Sequence, residues 1–470
     1  MRDLVFVAYL LALLFIAFKR PFLFTLVYTY IDIVAPQRLS YFMLNSVPVS
    51  LIVFALAFLG YMVSDEKKDS RFSIRQGLMV LLLAYCGYTT IQAVAPEAAM
   101  QKWDWVWKAM IFAIFLPLTL RTKLRLEALA LFMVLCAATL IITGGIKTAI
   151  SGGGYGVLVL LIDDNAGLYE GSIISMVSIA IIPLILWLAK YGTVFPPDWR
   201  VKIFSICLIF ACLLIPIGTR ARTGLVCMVV LAVLLLRFNK HRFLYAGAAF
   251  TLGIMSIPFL PQSFTERMTT IQNYKADESA STRIAVWGWT IDYVKENPFG
   301  GGFDVYLINE LKYELSEVDR KQYEEWGIDP DEVDAGVVED KARAFHSSYF
   351  EMLGEQGFPG LIIWLIIHIG GVWRMEVLRR KYKNSQKEGE QWVAPLAVAL
   401  QNAHIIYLVG AMFVGVAYQP FVYKLVALQI GLDTYMARRR NEAKWRPIVK
   451  RLGVAAKQKQ LPGNPKPFSQ

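Results

Sequence analysis

Histidine occurs only four times in 470 residues, and cysteine five times. Cys86, Cys136, Cys207, Cys212 and Cys227 all lie in apolar runs without a CxxC pair, which excludes a disulfide framework and a zinc site of familiar spacing. Only 18% of the residues are charged, too few to cover a soluble chain of this length. The glycine-rich stretch Ser151-Gly-Gly-Gly-Tyr-Gly156 lacks the Lys-Ser/Thr ending that holds nucleotide phosphates, and no hydrolase nucleophile elbow is present. No internal repeat is visible, which counts against a transporter built from paired halves. Asp329-Pro-Asp331 matches a DxD pattern, but it sits in an acidic outer loop where nucleotide sugars are not expected. The run 329–340 also lacks the oxygen-ligand spacing of a calcium loop. Neither a metal nor any other cofactor is expected.

Apolar residues, at 56%, are what the chain has in excess, and they come in stretches long enough to span a bilayer. Thirteen such runs are read at about 4–18, 22–34, 45–63, 77–94, 109–120, 126–146, 169–191, 203–217, 224–238, 243–260, 347–372, 393–417 and 421–436. The pattern predicts an all-α, polytopic integral membrane bundle of about 12–13 transmembrane helices with one large extracytoplasmic loop. Its regions would be an N-terminal membrane region 1–120, a central one 121–260, an outer loop 261–345, a C-terminal membrane region 346–436 and a basic tail 437–470. No cleavable signal is expected, because 4–18 leads into Lys19-Arg20-Pro21 without a small-residue cleavage site. Trp103-Asp-Trp105-Val-Trp107 reads as an aromatic turn at the headgroup boundary.

The net charge of +11 raises the question of nucleic acid, but the basic residues cluster beside membrane runs. Six basic links (Lys19-Arg20, 67–75, 121–125, 237–242, 374–387 and 438–451) fall on one side if there are thirteen spans, and their Lys/Arg excess makes that side cytoplasmic. The partners expected are therefore membrane lipids and not nucleic acid. The outer loop 261–345 carries eighteen Asp/Glu against nine Lys/Arg, so arginines on that side stand out.

Three outer features carry possible chemistry. Thr219-Arg220-Ala-Arg222-Thr-Gly224 opens a span, with the helix expected to begin at Gly224. A guanidinium fork at a helix start suits a diphosphate; the competing reading is a salt bridge to a loop carboxylate. Ser281-Thr-Arg283 begins a helical pattern over 284–294 that ends at Asn297-Pro-Phe-Gly-Gly-Gly302. Arg283 is either a second phosphate ligand or an ordinary loop residue, with Trp287 packing on membrane or sugar. His346 heads Phe345-His-Ser-Ser-Tyr-Phe-Glu-Met-Leu-Gly-Glu-Gln-Gly-Phe-Pro-Gly360 at the mouth of a span. A neutral imidazole there could deprotonate a hydroxyl, or it could be a satisfied boundary histidine. The other three histidines lie in a basic cluster (His241) or inside spans (His368, His404).

In their order along the chain, the outer arginine opening a helix, R-x-x-x-W, NPFGGGF and H-S-x-x-F-x-x-x-x-G-x-x-G resemble the O-antigen ligase and polymerase superfamily over about 217–361. A weaker echo lies in Asp164-Asn165 before a span. MRDLVFVAYL, the KRP break and APQRLSYF, which includes Arg38, resemble a subgroup, the O-glycosylation ligases associated with the exosortase A system. The resemblance implies metal-independent transfer of a glycan from an undecaprenyl-diphosphate carrier to an acceptor hydroxyl on lipid A core, protein or another glycan. The site would face the periplasm from a bacterial inner membrane. It further implies that Arg222 and Arg283 neutralise the diphosphate and that His346 orients and deprotonates the acceptor; Arg220, Arg38, Asn165 and Trp287 are the further candidates for substrate binding. Ala221 and Thr223 depart from the family's Ser-Arg-Gly pattern, so Arg220 could share the role of Arg222, and His-Ser replaces the usual His-Asn. Activity should fall at acid pH as His346 protonates. A polymerase of the same superfamily is the nearest alternative, and a lipid-oligosaccharide flippase a more distant one.

Overall fold

The computed structural model describes residues 2–40, 43–44, 47–65, 67, 70–151, 168–237, 278–314, 337–387 and 389–444, with positions 241–244, 247, 251 and 255. Asn165, the glycine-rich stretch before it, most of 243–260, much of the outer loop and the tail from 445 lie outside the described residues. The helices, in order, are α1 (Arg2–Lys19), α2 (Leu23–Val34), the single turn α3 (Pro36–Leu39), α4 (Val49–Ser64), α5 (Ile74–Ile91) and α6 (Pro96–Thr119). Then come α7 (Lys123–Ser151), α8 (Gly171–Tyr191), α9 (Trp199–Gly218), α10 (Arg222–Leu236), α11 (Glu278–Glu296), α12 (Ser348–Tyr382), α13 (Val393–Gly410) and α14 (Pro420–Lys444). The chain is a polytopic α-helical membrane protein. Helices occupy twelve of the thirteen apolar runs, and the thirteenth, 243–260, falls almost wholly outside the described residues. Among the described residues, α5, α7, α8, α9, α12 and α13 are long and apolar enough to cross a bilayer, while α2, α4 and α10 are shorter apolar helices.

Several sequence expectations are corrected. The Trp103–Trp107 stretch is not a turn but part of α6, which starts at Pro96 with Glu97 in its first turn and meets no helix breaker before the apolar run. Residues 411–417 are not part of the span: α13 stops at Gly410, and a tight turn follows before Pro420 opens α14. The helix after the Arg220 turn begins at Arg222, ahead of Gly224. The one departure from all-α among the described residues is a short antiparallel hairpin, β1 (Glu310–Glu314) with β2 (Val337–Lys341), which pairs Glu310 with Lys341.

The core is mostly apolar side chains, with α8 buried along most of its length between α7, α9, α10 and α13. Polar sets are sealed inside it as well. Lys424 of α14, almost fully buried, is paired with Asp32 of α2 and lies over the Phe112 ring at 5.6 Å. Farther along, Arg75 donates to Gln429 Oε1 at 2.9 Å; Gln429 Nε2 meets His404 Nδ1 at 2.9 Å, and His404 Nε2 meets His368 Nδ1 at 2.8 Å. Charges at membrane depth survive only when paired in this way.

Candidate active site

The site is assembled where the Asn297–Phe303 turn meets a break in α12. Gly357 (φ 62°, ψ −168°) interrupts that helix, and Pro359 has no N–H to give to the Glu355 carbonyl. The turn supplies what the break removes. Gly301 N–H donates to Gly354 O at 3.0 Å, Gly302 N–H to Glu355 O at 2.9 Å, and Phe358 N–H is redirected to Pro298 O at 3.0 Å. Gly300 and Gly302 adopt φ of 87° and 81°, and a Cβ on Gly300 would stand 2.5 Å from Glu355 O. The other side of the turn is held by α5, through Tyr85 Oη to Phe299 O at 2.9 Å, and by the residue Val94, whose N–H reaches Gly301 O at 2.9 Å. The NPFGGGF signature is thus a backbone splint, and it carries Asp304 and Glu355 to one place.

The histidine is set by its neighbours. Phe345 is buried and packs with Val286, Val305, Leu311 and the edge of Tyr306. Trp287 donates its indole N–H to Phe345 O at 2.9 Å and stacks on Phe350 at 4.8 Å, so it buttresses the turn that carries His346. On the upstream side Asn309 exchanges bonds with the Arg343 backbone at 2.7 and 3.0 Å. Downstream, Ser348 N–H donates to Ala411 O at 2.8 Å, and its hydroxyl bridges Val414 O and Val416 N, each at 2.9 Å. Between these clamps His346 takes φ 47°, a left-handed conformation costing a non-glycine residue on the order of 1 kcal/mol. Its side chain remains exposed to the cleft.

A cleft of about 670 Å³ opens in front of it. Arg38 of α3, Arg283 of α11 and His346 line it, with the first turn of α8 at Glu170 and Ser172 and with the 413–420 turn. Loss of water around the ring, then the positive charges of Arg283 and Arg343, push the His346 pKa below its ordinary 6.5. Arg222 and Arg220 do not line the cleft. They sit one step behind it: Arg220 (φ 52°) follows Thr219, whose hydroxyl meets Ser175 of α8 at 2.6 Å, and Arg222 is the first residue of α10.

The sequence reading missed the other end of the cleft. Lys102 of α6 reaches Glu355 Oε1 at 2.7 Å, Glu351 Oε1 at 2.8 Å and Asp304 Oδ1 at 3.3 Å. Asp304 N–H donates to Glu355 Oε1 at 3.0 Å, and Glu351 Oε2 accepts from Ala417 N–H at 2.9 Å. Isolated acids such as Glu351 and Glu355 in an otherwise apolar helix were the available signal, since a carboxylate is rarely buried without a partner.

A multi-pass helical membrane protein with a cation-and-histidine cleft at one end is the class these features define. Residues 206–365 match the family described as O-Antigen ligase. Over those residues the chain is similar to that family, and the match covers about a third of its length. Residues 1–193 match a family of unknown function, DUF5935. No curated protein matches the chain. Arg283 and His346 lie in the ligase stretch, whereas Arg38 and Lys102 come from the other, so both matched regions line the cleft.

Proposed function

We propose that the protein transfers an oligosaccharide or polysaccharide from undecaprenyl diphosphate to an acceptor hydroxyl at the periplasmic face of a bacterial inner membrane. In this reading Arg283 and Arg38 receive the diphosphate inside the cleft, and Arg222, at the start of α10, adds positive charge behind α8. The bond from the sugar anomeric carbon to the diphosphate oxygen breaks as the acceptor oxygen bonds to that carbon. His346 takes the acceptor proton, and the undecaprenyl diphosphate leaves with its charge neutralised by guanidinium groups. The acceptor is a hydroxyl of lipid A core, protein or glycan.

The observation that supports this reading best is the convergence of Arg38, Arg283 and His346 on one cleft, although they lie far apart in the chain. The depressed His346 pKa adds to it, because the imidazole is neutral and able to accept a proton at pH 7. The test is His346→Ala in cells, with membrane abundance measured alongside transfer. A general base contributes roughly a hundred- to ten-thousandfold, so transfer should fall by that order at unchanged abundance. Normal transfer by an abundant His346→Ala protein would overturn the assignment. Ligase and polymerase separate in a deletion strain, where a missing ligase leaves long chains on the lipid carrier and a missing polymerase leaves single repeats.

A further inference from the structure

We infer that a pocket between α8, α10, α12 and α13 holds an anionic phospholipid, with its phosphate among Lys190, Arg379 and Lys383. The pocket, of about 560 Å³, lies at the end of the bundle opposite the cleft, where α8 and α12 finish and α13 begins. It plays no part in the transfer chemistry proposed above. Its walls change character along the helices. Lys190 stands in the last turn of α8, and Arg379 and Lys383 stand at the end of α12, so the cations form the mouth. Pro183 of α8 and Val398 and Ala399 of α13 form the wall farther in, and Leu186 and Leu235 are exposed beside it. A slot between membrane helices that is basic at its mouth and apolar beyond suits an amphiphile with a negative headgroup.

Charge selects the headgroup. No carboxylate lines the pocket among the described residues. Glu376 holds Arg379 through bonds of 2.7 and 2.8 Å, but it also accepts from Arg380 at 2.7 Å and has Arg237 at 4.0 Å. One carboxylate thus serves three guanidinium groups, and the mouth keeps a net positive charge that a phosphate answers and a zwitterionic headgroup does not. Asn402 is the second indication. It lines the same pocket from more than two turns inside α13, it is buried, and its side chain makes no hydrogen bond among the described residues. An amide closed off from water and left unpaired is costly, and the ester carbonyls below a phospholipid's phosphate are acceptors that would complete it.

The experiment measures lipid binding to the purified, lipid-depleted full-length protein by native mass spectrometry. The probes are phosphatidylglycerol, phosphatidylcholine with the same chains, and water-soluble glycerol 3-phosphate. One Lys or Arg beside an anionic headgroup is worth about fivefold in affinity. The wild type should therefore prefer phosphatidylglycerol to phosphatidylcholine by at least about twenty-five-fold, the share of the two lysines, and Lys190→Ala with Lys383→Ala should lower the preference by that factor. Lys19→Ala with Arg20→Ala makes the same charge change at the exposed end of α1 and should leave the preference within about twofold. Val398→Trp fills the slot with every cation in place and should abolish tight binding; if it fails to fold, the exposed lysine pair decides. Equal affinity of the wild type for the two phospholipids would overturn the inference. So would a preference that survives the lysine pair or a folded Val398→Trp, or an equal loss in the α1 control, which would mean diffuse surface charge. Displacement of the lipid by glycerol 3-phosphate at matching concentration would make this a free-phosphate site. A dimer that keeps lipid out of the slot and is broken by Val398→Trp would make it an interface between copies. Either result refutes the phospholipid.

Discussion

His346 combines two properties that the base proposed above requires. It is held in a left-handed conformation by contacts on both sides, and its ring stays open to the cleft. Its proton affinity follows from the residues around it. Desolvation and the charges of Arg283 and Arg343 disfavour the imidazolium, so the neutral base persists to pH values below 6.5. The rate should therefore be level through neutral pH and fall only as the medium drops below the lowered pKa. Arg343 lies on the rim and pairs with Asp340, so Arg343→Ala removes a positive charge without entering the cleft. The histidine pKa then rises and the acid limb of the rate profile moves to higher pH. Transfer measured in proteoliposomes from pH 5 to 8 checks this, and a limb that stays put or moves toward acid would remove His346 as the titrating base.

Helices and turns explain why the site is only partly legible in the sequence. His346 and Arg283 can be picked out because each stands at the start of a helical pattern on the acidic outer side. Lys102 and Glu355 cannot, because each reads as a stray charge until its partner is known, and that partner is 253 residues away. The NPFGGGF turn was visible, but its purpose was not. A glycine run suggests a turn, whereas its docking onto the Gly357 break depends on backbone groups of a distant helix. The aromatic stretch at 103–107 was misplaced for a related reason: tryptophans suit the interface, yet nothing in Trp-Asp-Trp-Val-Trp stops a helix begun at Pro96. The splint makes a sharp prediction. A Cβ on Gly357 would stand 2.2 Å from Pro298 O in a region of φ closed to alanine, so Gly357→Ala must push the turn away. Backbone strain alone is roughly 1–3 kcal/mol. The midpoint of thermal unfolding should fall and transfer should fall with it, because Asp304 and Glu355 part company. A variant with wild-type melting and full transfer would show that the junction is not needed.

At the scale of the whole molecule, the charges divide between its two ends. The basic links lie far apart in sequence but meet in space. Arg125 grips Asp65 through two bonds of 2.6 Å, and Arg121 reaches Ser70 at 2.9 Å. Arg374 holds Asp433 through two bonds of 2.8 Å, Arg237 comes within 4.0 Å of Glu376, and Arg438 caps Leu120 O at 3.1 Å. The Asn297–Phe303 turn, His346 and the 411–419 turn gather at the helix ends opposite, so the cleft and the basic links occupy different ends of the bundle. Lys/Arg-rich short links stay in the cytoplasm during insertion, and the proposed periplasmic face of the cleft rests on that bias. Single cysteines at Gln386, beside the basic end, and at Lys295, on exposed α11, decide the matter in a Cys207→Ser background that removes the exposed native thiol. A membrane-impermeant maleimide applied to intact spheroplasts should label Lys295→Cys and spare Gln386→Cys until the membrane is opened. Labelling of Gln386→Cys from outside would invert the molecule. The cleft would then face the cytoplasm, and the donor would have to be a lipid that has not yet crossed the membrane.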